Sequence, residues 1–435
     1  MNRHPVRLRL LALLAASALL AAACSGGEDA ADSTTVPAGD TTTIPEPVTT
    51  GATETPATGG ESTTTSEATS TTPPPRFDIG VRFDAGGDAA EVVGELYAWM
   101  TNPLYLEPPP MPDGLRDHLT AQEPSGDFFA TGEITTGRIG DDDGPQADIA
   151  VATVGGRDVV LAVDDGDGWR IAGAKLASIG FDAWYGEPIR HVFVIGTDAR
   201  PGQSQRLFRG DSLHILSSNV AEGAGAIMGF PRDTYVEAPY GGDKFTNVNA
   251  LSGPDTMVEI ASSLSGLPLD GYIVTGFVGF EQLVNEFGGV VVEVPFAMAE
   301  PKSDAYLNAG RQVLWGANAL AFSRNRTIPG GDFTRSYHQG LVMLGAFDAV
   351  QATDISRLPG LLEILDRFTW TSLTPEQVLT VAAGAWEIDP ATVINIVLPG
   401  TVATRGGASV VDLDQDAAAA VYADLADGYL TDPGE

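Results

Sequence analysis

Residues 323–335 read Ser-Arg-Asn-Arg-Thr-Ile-Pro-Gly-Gly-Asp-Phe-Thr-Arg, which places Arg324, Arg326, Arg335 and Asp332 in one segment broken by glycine and proline. The chain around them is acidic, with a formal net charge of -34. Such a chain has no general reason to gather guanidinium groups. Arginine grips phosphate with two parallel hydrogen bonds, so three arginines this close point to an anion. Taken alone, the segment is served as well by surface ion pairs with neighbouring carboxylates. More charges of the same kind lie upstream. Asp198 and Arg200 follow a buried-strand pattern at residues 191–196. Arg206, Arg209 and Asp211 precede a second strand at 212–218, and Arg232 and Asp233 follow a third at 226–230. Buried strands have no need for charges at their margins. In an open α/β sheet, ligands bind in the crevice outside the strand ends.

The elements that must carry these residues are legible in outline. Apolar spacing predicts helices over 255–264 and 278–287 and strands over 272–276 and 290–294, with Gly288 and Gly289 as a turn. A helix over 316–324 carries Arg324 at its end. A longer one over 335–350 has Asp332 near its N-terminus, where an acidic residue suits the helix dipole. Residues 77–185 read as a separate small α+β unit. Its helix at 88–100 cannot continue through Pro108, Pro109 and Pro110. Strand-like runs follow at 128–133, 147–154, 158–163 and 169–174, the last three split by Gly/Asp turns that predict antiparallel hairpins. The closing Asp-Gly-Trp-Arg-Ile is faintly similar to the cone-shaped nuclear transport factor-like domains. Asp141, Asp142 and Asp143 fit calcium by type, but a solvated turn accounts for them as well. No catalytic grouping stands out in this unit.

The N-terminus reads as a targeting signal. Arg3, Arg7 and Arg9 precede an apolar run over 10–23 that ends in Ala21-Ala22-Ala23-Cys24. A membrane-spanning helix needs about 20 apolar residues, and this run is shorter. It resembles a bacterial lipoprotein signal, with Leu20 one position further out than usual, cut before Cys24 so that the thiol is lipidated. An ordinary secretion signal with an incidental cysteine is the plainer alternative. Cys24 is the only cysteine, so no disulfide can form within the chain. Residues 25–76 are mostly Thr, Ser, Glu, Pro, Ala and Gly and cannot bury enough apolar surface to offset chain entropy. They are expected to form a disordered stalk with a reach of roughly 40 Å. The acidic charge argues against nucleic acid as a partner and against electrostatic binding to anionic lipid heads.

Eight segments occur together and in order: residues 194–200 (Val-Ile-Gly-Thr-Asp-Ala-Arg), 209–213 (Arg-Gly-Asp-Ser-Leu), 230–236 (Phe-Pro-Arg-Asp-Thr-Tyr-Val), 244–249, 287–295, 316–320, Arg324-Asn325-Arg326, and 331–335 with Gln339. In this the chain resembles the LytR-CpsA-Psr proteins over about residues 190–350, and the tail looks like the extension that often follows. The resemblance implies a three-layer α/β/α domain with a central mixed sheet and a hydrophobic tunnel for a polyprenyl chain, preceded here by the small accessory domain. The expected organisation is a signal (1–24), a stalk (25–76), the accessory domain (77–185), the family domain (186–350) and a C-terminal extension (351–435). The implied activity is transfer of a glycopolymer from a polyprenyl pyrophosphate carrier to a peptidoglycan acceptor, and the family also implies a pyrophosphatase-type activity on such lipids.

Carried over by position, Asp198 and Asp211 match acidic residues tied to Mg²⁺. Arg209, Arg232, Arg324, Arg326 and Arg335 match arginines that hold the pyrophosphate, with Gln339 and Asp332 as further polar positions. Arg200, Lys244 and Asn249 match more loosely. Mg²⁺ usually takes one or two carboxylates plus phosphate oxygens, and arginines neutralise the departing phosphate. Asp233 or Asp211 is a candidate to assist the incoming hydroxyl. His338 stands where the family often has arginine; it would still donate to an anion, or titrate near neutrality. Expected location is the outer face of the cell membrane, lipid-anchored and reaching into the wall. The competing reading is a non-catalytic lipoprotein that carries or senses polyprenyl-phosphate lipids, which would need arginines and a tunnel but no Asp198/Asp211 pair. A regulator of gene expression is disfavoured by the exported N-terminus.

Overall fold

The computed structural model describes residues 76–140 and 146–431. The signal-like segment, Cys24, nearly all of the expected stalk, and Asp141, Asp142 and Asp143 lie outside the described residues. The first sheet comprises β1 (Ile79–Phe83), β2 (Phe128–Ile139), β3 (Ala147–Val154), β4 (Asp158–Asp164), β5 (Arg170–Leu176) and β6 (Phe181–Trp184), with α1 (Gly87–Met100) and α2 (Asp113–Thr120) between β1 and β2. Its strands lie in chain order, β1 parallel to β2 and the rest an antiparallel meander. The strand expected to end at residue 133 runs on to Ile139 because Gly132 to Ile139 pair with β3.

Alternation decides what each face of this sheet covers. Ala150, Ala152, Val160 and Ala162 pack on Leu96, Tyr97 and Met100 of α1. Ile149, Val151, Leu161 and Val163 face the other way, into one apolar cluster with Leu361, Leu362, Leu365 and Leu379 from the C-terminal third of the chain. Burial on both faces explains why the third and fourth strands read as continuous apolar runs.

The second sheet is built from β7 (Ile189–Thr197), β8 (Gly210–Asn219) and β9 (Ala224–Gly229). The hairpin β10 (Tyr235–Ala238) and β11 (Gly241–Lys244) leads into α3 (Phe245–Ser265), β12 (Gly271–Thr275) and α4 (Phe277–Glu286). Next come β13 (Val290–Val294), β14 (Met298–Glu300), β15 (Ala305–Leu307), β16 (Gly310–Leu314), α5 (Gly316–Arg324) and α6 (Asp332–Gln351). The chain ends with α7 (Leu358–Asp366), β17 (Trp370–Thr371), α8 (Pro375–Gly384), β18 (Ile394–Val397), β19 (Gly400–Arg405), β20 (Ala408–Leu413) and α9 (Gln415–Leu425). The strand order is β17-β12-β7-β8-β9-β18. β12 and β18 run parallel to their inner neighbours, and β7, β8 and β9 are antiparallel, so the sheet is mixed.

One face of this sheet presents Phe193, Ile195, Leu213 and Met228 to α3 and α9. The other presents Val194 and Ile227 to Phe280, Phe322 and Met343 of α4, α5 and α6. The result is a three-layer α/β/α arrangement. α3 begins ten residues earlier than its periodicity suggested and contains a break at Gly253 (φ 83°), where Pro254 opens the second segment. Both edge strands, β17 and β18, come from beyond residue 350, a part of the chain the sequence left without assigned elements.

Phe193, Phe230 and Phe245 form a buried aromatic trio with centroids 5.5 to 6.2 Å apart. It fastens the exit of β9 to α3, two residues before Arg232. Removal of the Phe230 ring is expected to cost about 3–5 kcal/mol.

A chain lacking residues 77–185 would expose Leu362, Leu365 and Leu379 to water. It is expected to aggregate or to melt well below the full protein in size-exclusion and thermal unfolding measurements. A soluble monomer with an unchanged melt would show that the two sheets fold independently.

Candidate active site

β8 is antiparallel to both neighbours, so its start lies at the same sheet edge as the ends of β7 and β9. The pairing of β7 with β8 is irregular between Gly196 and Thr197, and such a bulge re-aims the side chains beyond it. Just past it the Asp198 N–H donates to the Arg209 carbonyl at 2.9 Å. The Arg209 guanidinium returns two bonds to the Asp198 carboxylate, at 2.6 and 3.4 Å. Asp211 enters from β8, Arg232 from the exit of β9, and Arg335 from the first turn of α6.

Asp211 is the centre of this arrangement. Arg232 Nη1 donates to its Oδ1, and Arg335 Nη1 lies 3.1 Å from its Oδ2. Arg335 Nη2 also reaches the Asp211 carbonyl at 3.2 Å and Asp332 Oδ1 at 2.9 Å. The Arg335 side chain is 1% exposed and that of Asp211 10%, so these are buried ion pairs and not exchangeable surface contacts. Burial pushes the Asp211 carboxyl up, but Arg335 and Arg232 together outweigh it and hold the group down at about 2.

Asp332 lies behind the arginines. Its Oδ1 is also 3.7 Å from Arg232 Nε and 3.8 Å from Arg326 Nε, and neither of its oxygens makes a well-aligned hydrogen bond. Burial lowers the Arg326 titration point, and repulsion from Arg232 and Arg335 adds to it, ahead of the opposing carboxylates. An anion in the pocket would relieve the repulsive part of this shift.

A pocket of about 600 Å³ opens over this centre. Asp198, Arg200, Arg209, Asp211, Arg232, Arg324, Arg326 and Arg335 all line it, drawn from four separate segments. The Arg324 guanidinium sits over the Phe277 ring at 5.0 Å. Asp233 and Lys244 do not line the pocket; they pair with each other at 3.0 Å, and Asp233 Oδ1 lies 3.6 Å from Arg232 Nε. Gln339 is buried, and its amide donates to the carbonyls of Asp211 and Ser323, both at 3.3 Å, tying the start of β8 to the end of α5. Asn249 donates to the carbonyls of Arg206 and Phe208 at 2.8 and 2.7 Å and pins the loop before Arg209.

His338 differs from the expectation of an anion donor or a group titrating near neutrality. It stacks on Phe322 with centroids 4.5 Å apart, beside Phe296, and burial pushes its pKa down to about 4. The sequence also missed Glu300, Lys302 and Ser303, which form another wall of the pocket. The Glu300 carboxylate accepts from the Lys302 and Ser303 amides at 2.9 and 2.7 Å and from the Ser303 hydroxyl at 2.6 Å. This clamp shapes the turn and sends Lys302 to the pocket. The only local signal was the Pro301-Lys302-Ser303 turn, which says nothing of its distant neighbours.

Among the described residues no cluster of three or more His, Cys, Asp or Glu is set to hold a metal. Two carboxylates, Asp198 and Asp211, do face the same pocket. Burial raises the Asp198 titration point, and the Asp211 charge raises it further against Arg209. Two such oxygens match the protein share of a Mg²⁺ site completed by phosphate. On the sheet face under α6, Val192, Leu216, Ile227, Met343 and Phe347 line a mostly apolar cavity of about 80 Å³. A cavity of about 150 Å³ accepts benzene, so a prenyl chain laid along this face would have to widen it.

His214 and His338 are both pushed down to about 4 from an ordinary value of 6.5. The folded protein then binds fewer protons than the unfolded chain between those values, so stability is full above pH 6.5 and falls as the pH drops toward 4. His338→Phe should flatten that acid limb in melts followed against pH; an unchanged slope would mean that His338 is not held neutral. Lys302→Ala should leave the melting temperature unchanged and weaken binding of inorganic pyrophosphate by roughly three- to tenfold, about 0.7–1.4 kcal/mol, in titration calorimetry. Equal affinity would remove Lys302 from the site.

The profile of the LytR_cpsA_psr family matches residues 185–427. TagT of Bacillus subtilis (strain 168), named a polyisoprenyl-teichoic acid–peptidoglycan teichoic acid transferase, is 30% identical over 184 residues, covering 40% of this chain and 56% of TagT. TagU of Bacillus anthracis, named in the same way, is 30% identical over 197 residues, 44% of this chain and 62% of TagU. The chain thus spans about half to three-fifths of the length of these relatives. Among solved structures, the crystal structure of B. subtilis TagV superposes with a TM-score of 0.49 at 23% identity, covering 55% of this chain and 96% of the chain in that structure. The match to the family profile takes in more than half of the 435 residues, including every strand of the mixed sheet and all the charges at its edge, and the protein belongs to the LytR-CpsA-Psr family.

Proposed function

We propose that this protein transfers a glycopolymer from a polyprenyl pyrophosphate carrier to peptidoglycan, with hydrolysis of such lipids as a side activity. The observation that carries the reading is the surplus of guanidinium groups around Asp211, crowded at the mouth of one pocket in a chain of net charge -34. The names of the relatives TagT and TagU support the same reading.

In this reaction a hydroxyl of the acceptor sugar attacks the phosphorus on the glycan side of the pyrophosphate. The bond from that phosphorus to the bridging oxygen breaks, the electron pair leaves with the prenyl phosphate, and the hydroxyl proton passes to solvent or to a carboxylate. Arg232 and Arg335 are fixed by Asp211 and Asp332 and can meet developing charge with little reorganisation. Arg326 and Arg324 extend the grip along the pyrophosphate. Asp198 and Asp211 would hold Mg²⁺, which when bound supplies neutralisation of the phosphate oxygens. Asp211, held at about 2, is a weak proton acceptor, which leaves it to the electrostatic role. Lipidation at Cys24 would keep the domain at the outer membrane surface, where the carrier lipid is.

The test is phosphate release from a polyprenyl pyrophosphate by the purified protein, with and without Mg²⁺. Release is expected to depend on Mg²⁺, to vanish in Asp211→Ala, and to fall by roughly tenfold or more in Arg232→Lys, because a point charge cannot replace the planar fork. Arg232→Lys within about twofold of wild type would take Arg232 out of the chemistry. No release by the wild type, with the lipid still bound, would favour a carrier or sensor. Cys24→Ser should shift the protein from the membrane to the soluble fraction on cell fractionation; full membrane retention would count against the lipid anchor.

A further inference from the structure

Behind the charged centre, a buried chain of polar groups joins β8 to α6. His214 has no exposed surface. Its Nδ1 lies 3.0 Å from Ser212 Oγ and its Nε2 lies 3.2 Å from the Ser336 carbonyl oxygen. A carbonyl only accepts, so Nε2 carries the proton and Nδ1 accepts from the Ser212 hydroxyl. One neutral tautomer therefore satisfies both ring nitrogens. Burial, with the nearby Arg335 charge adding to it, pushes the His214 pKa down to about 4 despite the bond to Ser336, so that tautomer persists at neutral pH.

The partners of His214 stand next to the charges of the site. Ser212 follows Asp211, and Ser336 follows Arg335. The Ser336 hydroxyl makes longer contacts of 3.5 Å to His214 Nε2 and to the Phe230 carbonyl, two residues before Arg232. The Phe230 N–H closes the circuit by donating to the Leu213 carbonyl at 2.8 Å. The segments carrying Asp211, Arg335 and Arg232 thus converge on one imidazole. The fit is tight at Gly229, where a Cβ would lie 2.5 Å from Ser336 Oγ and 2.9 Å from His214 Nε2. An apolar side chain could fill this core position with no need for partners, whereas a buried imidazole demands two.

We infer that His214 is a positioning residue, which with Ser212 and Ser336 sets the first turns of α6 against β8 and so fixes how Arg335 and Arg232 meet Asp211 and the pyrophosphate. The inference rests on the pyrophosphate reading of the pocket. His214 does not touch substrate; it acts through Arg335.

The experiment compares full-length wild type, His214→Leu and His214→Gln. The leucine fills the space without polar groups. The glutamine amide can donate to the Ser336 carbonyl and accept from the Ser212 hydroxyl. Both are expected to melt near the wild type. In prenyl pyrophosphate hydrolysis His214→Leu should lose roughly ten- to a hundredfold in kcat with KM within about threefold, and His214→Gln should recover most of it. The ¹⁵N shifts of the wild-type imidazole should report a neutral ring protonated on Nε2. A folded His214→Leu with kcat within about twofold of wild type would overturn the inference. So would equal loss in both variants, or a proton on Nδ1. A wild type that neither hydrolyses the lipid nor binds inorganic pyrophosphate would sink the pyrophosphate reading instead. The imidazole shifts would then still decide whether the Ser212–His214–Ser336 chain exists as described.

Discussion

Asp211 carries its charge where water hardly reaches it, between Arg232 and Arg335. A lone carboxylate in that place would be neutralised by burial; two guanidinium groups keep it ionised. The pairing is mutual, because Asp211 and Asp332 in turn hold Arg232 and Arg335 at the pocket edge. Much of the surrounding structure serves this contact. Gln339 ties the Asp211 backbone to α5, Asn249 pins the loop before Arg209, and the Phe193–Phe230–Phe245 trio anchors the strand exit before Arg232.

The charges of the site balance locally in a way the whole chain does not. The aspartates near the pocket are shared or paired: Asp198 with Arg209, Asp211 with Arg232 and Arg335, Asp233 with Lys244, Asp332 among three arginines. Arg326 remains half exposed and repelled by its neighbours, with only a loose approach to Asp332. That leftover positive charge faces the pocket, while the acidic excess lies elsewhere. A binding site for a polyanion in an acidic protein has to be made this way, by fixed local pairs, since long-range attraction works against it.

The C-terminal third is part of the same construction. β18 closes one edge of the central sheet, and the Val411 N–H of β20 donates to the Asp233 carbonyl at 2.8 Å, bracing the turn that carries Arg232. α7, α8 and the turn after α8 cover the second face of the N-terminal sheet, joined by Arg170–Glu376 and Lys175–Glu387 as well as by apolar packing. Both sheets belong to one compact unit.

The sequence by itself determined which strands are buried, that charges stand at their ends, and that arginines gather in one short segment of an acidic chain. Those features are local: apolar runs, turn residues, and charges that no core would accept. Eight spaced segments added the family. What it could not determine was contact between residues far apart in the chain. Glu300, Lys302 and Ser303 look like an ordinary turn until the β14–β15 hairpin folds against the pocket. Gln339 and His338 are neighbours on one helix, but helical geometry turns one toward the Asp211 backbone and the other between Phe322 and Phe296. His214 lies inside a strand whose pattern reads as apolar, and only the approach of α6 gives its two nitrogens their partners. Roles of this kind depend on which face a side chain takes and what packs there, and tertiary structure alone decides that.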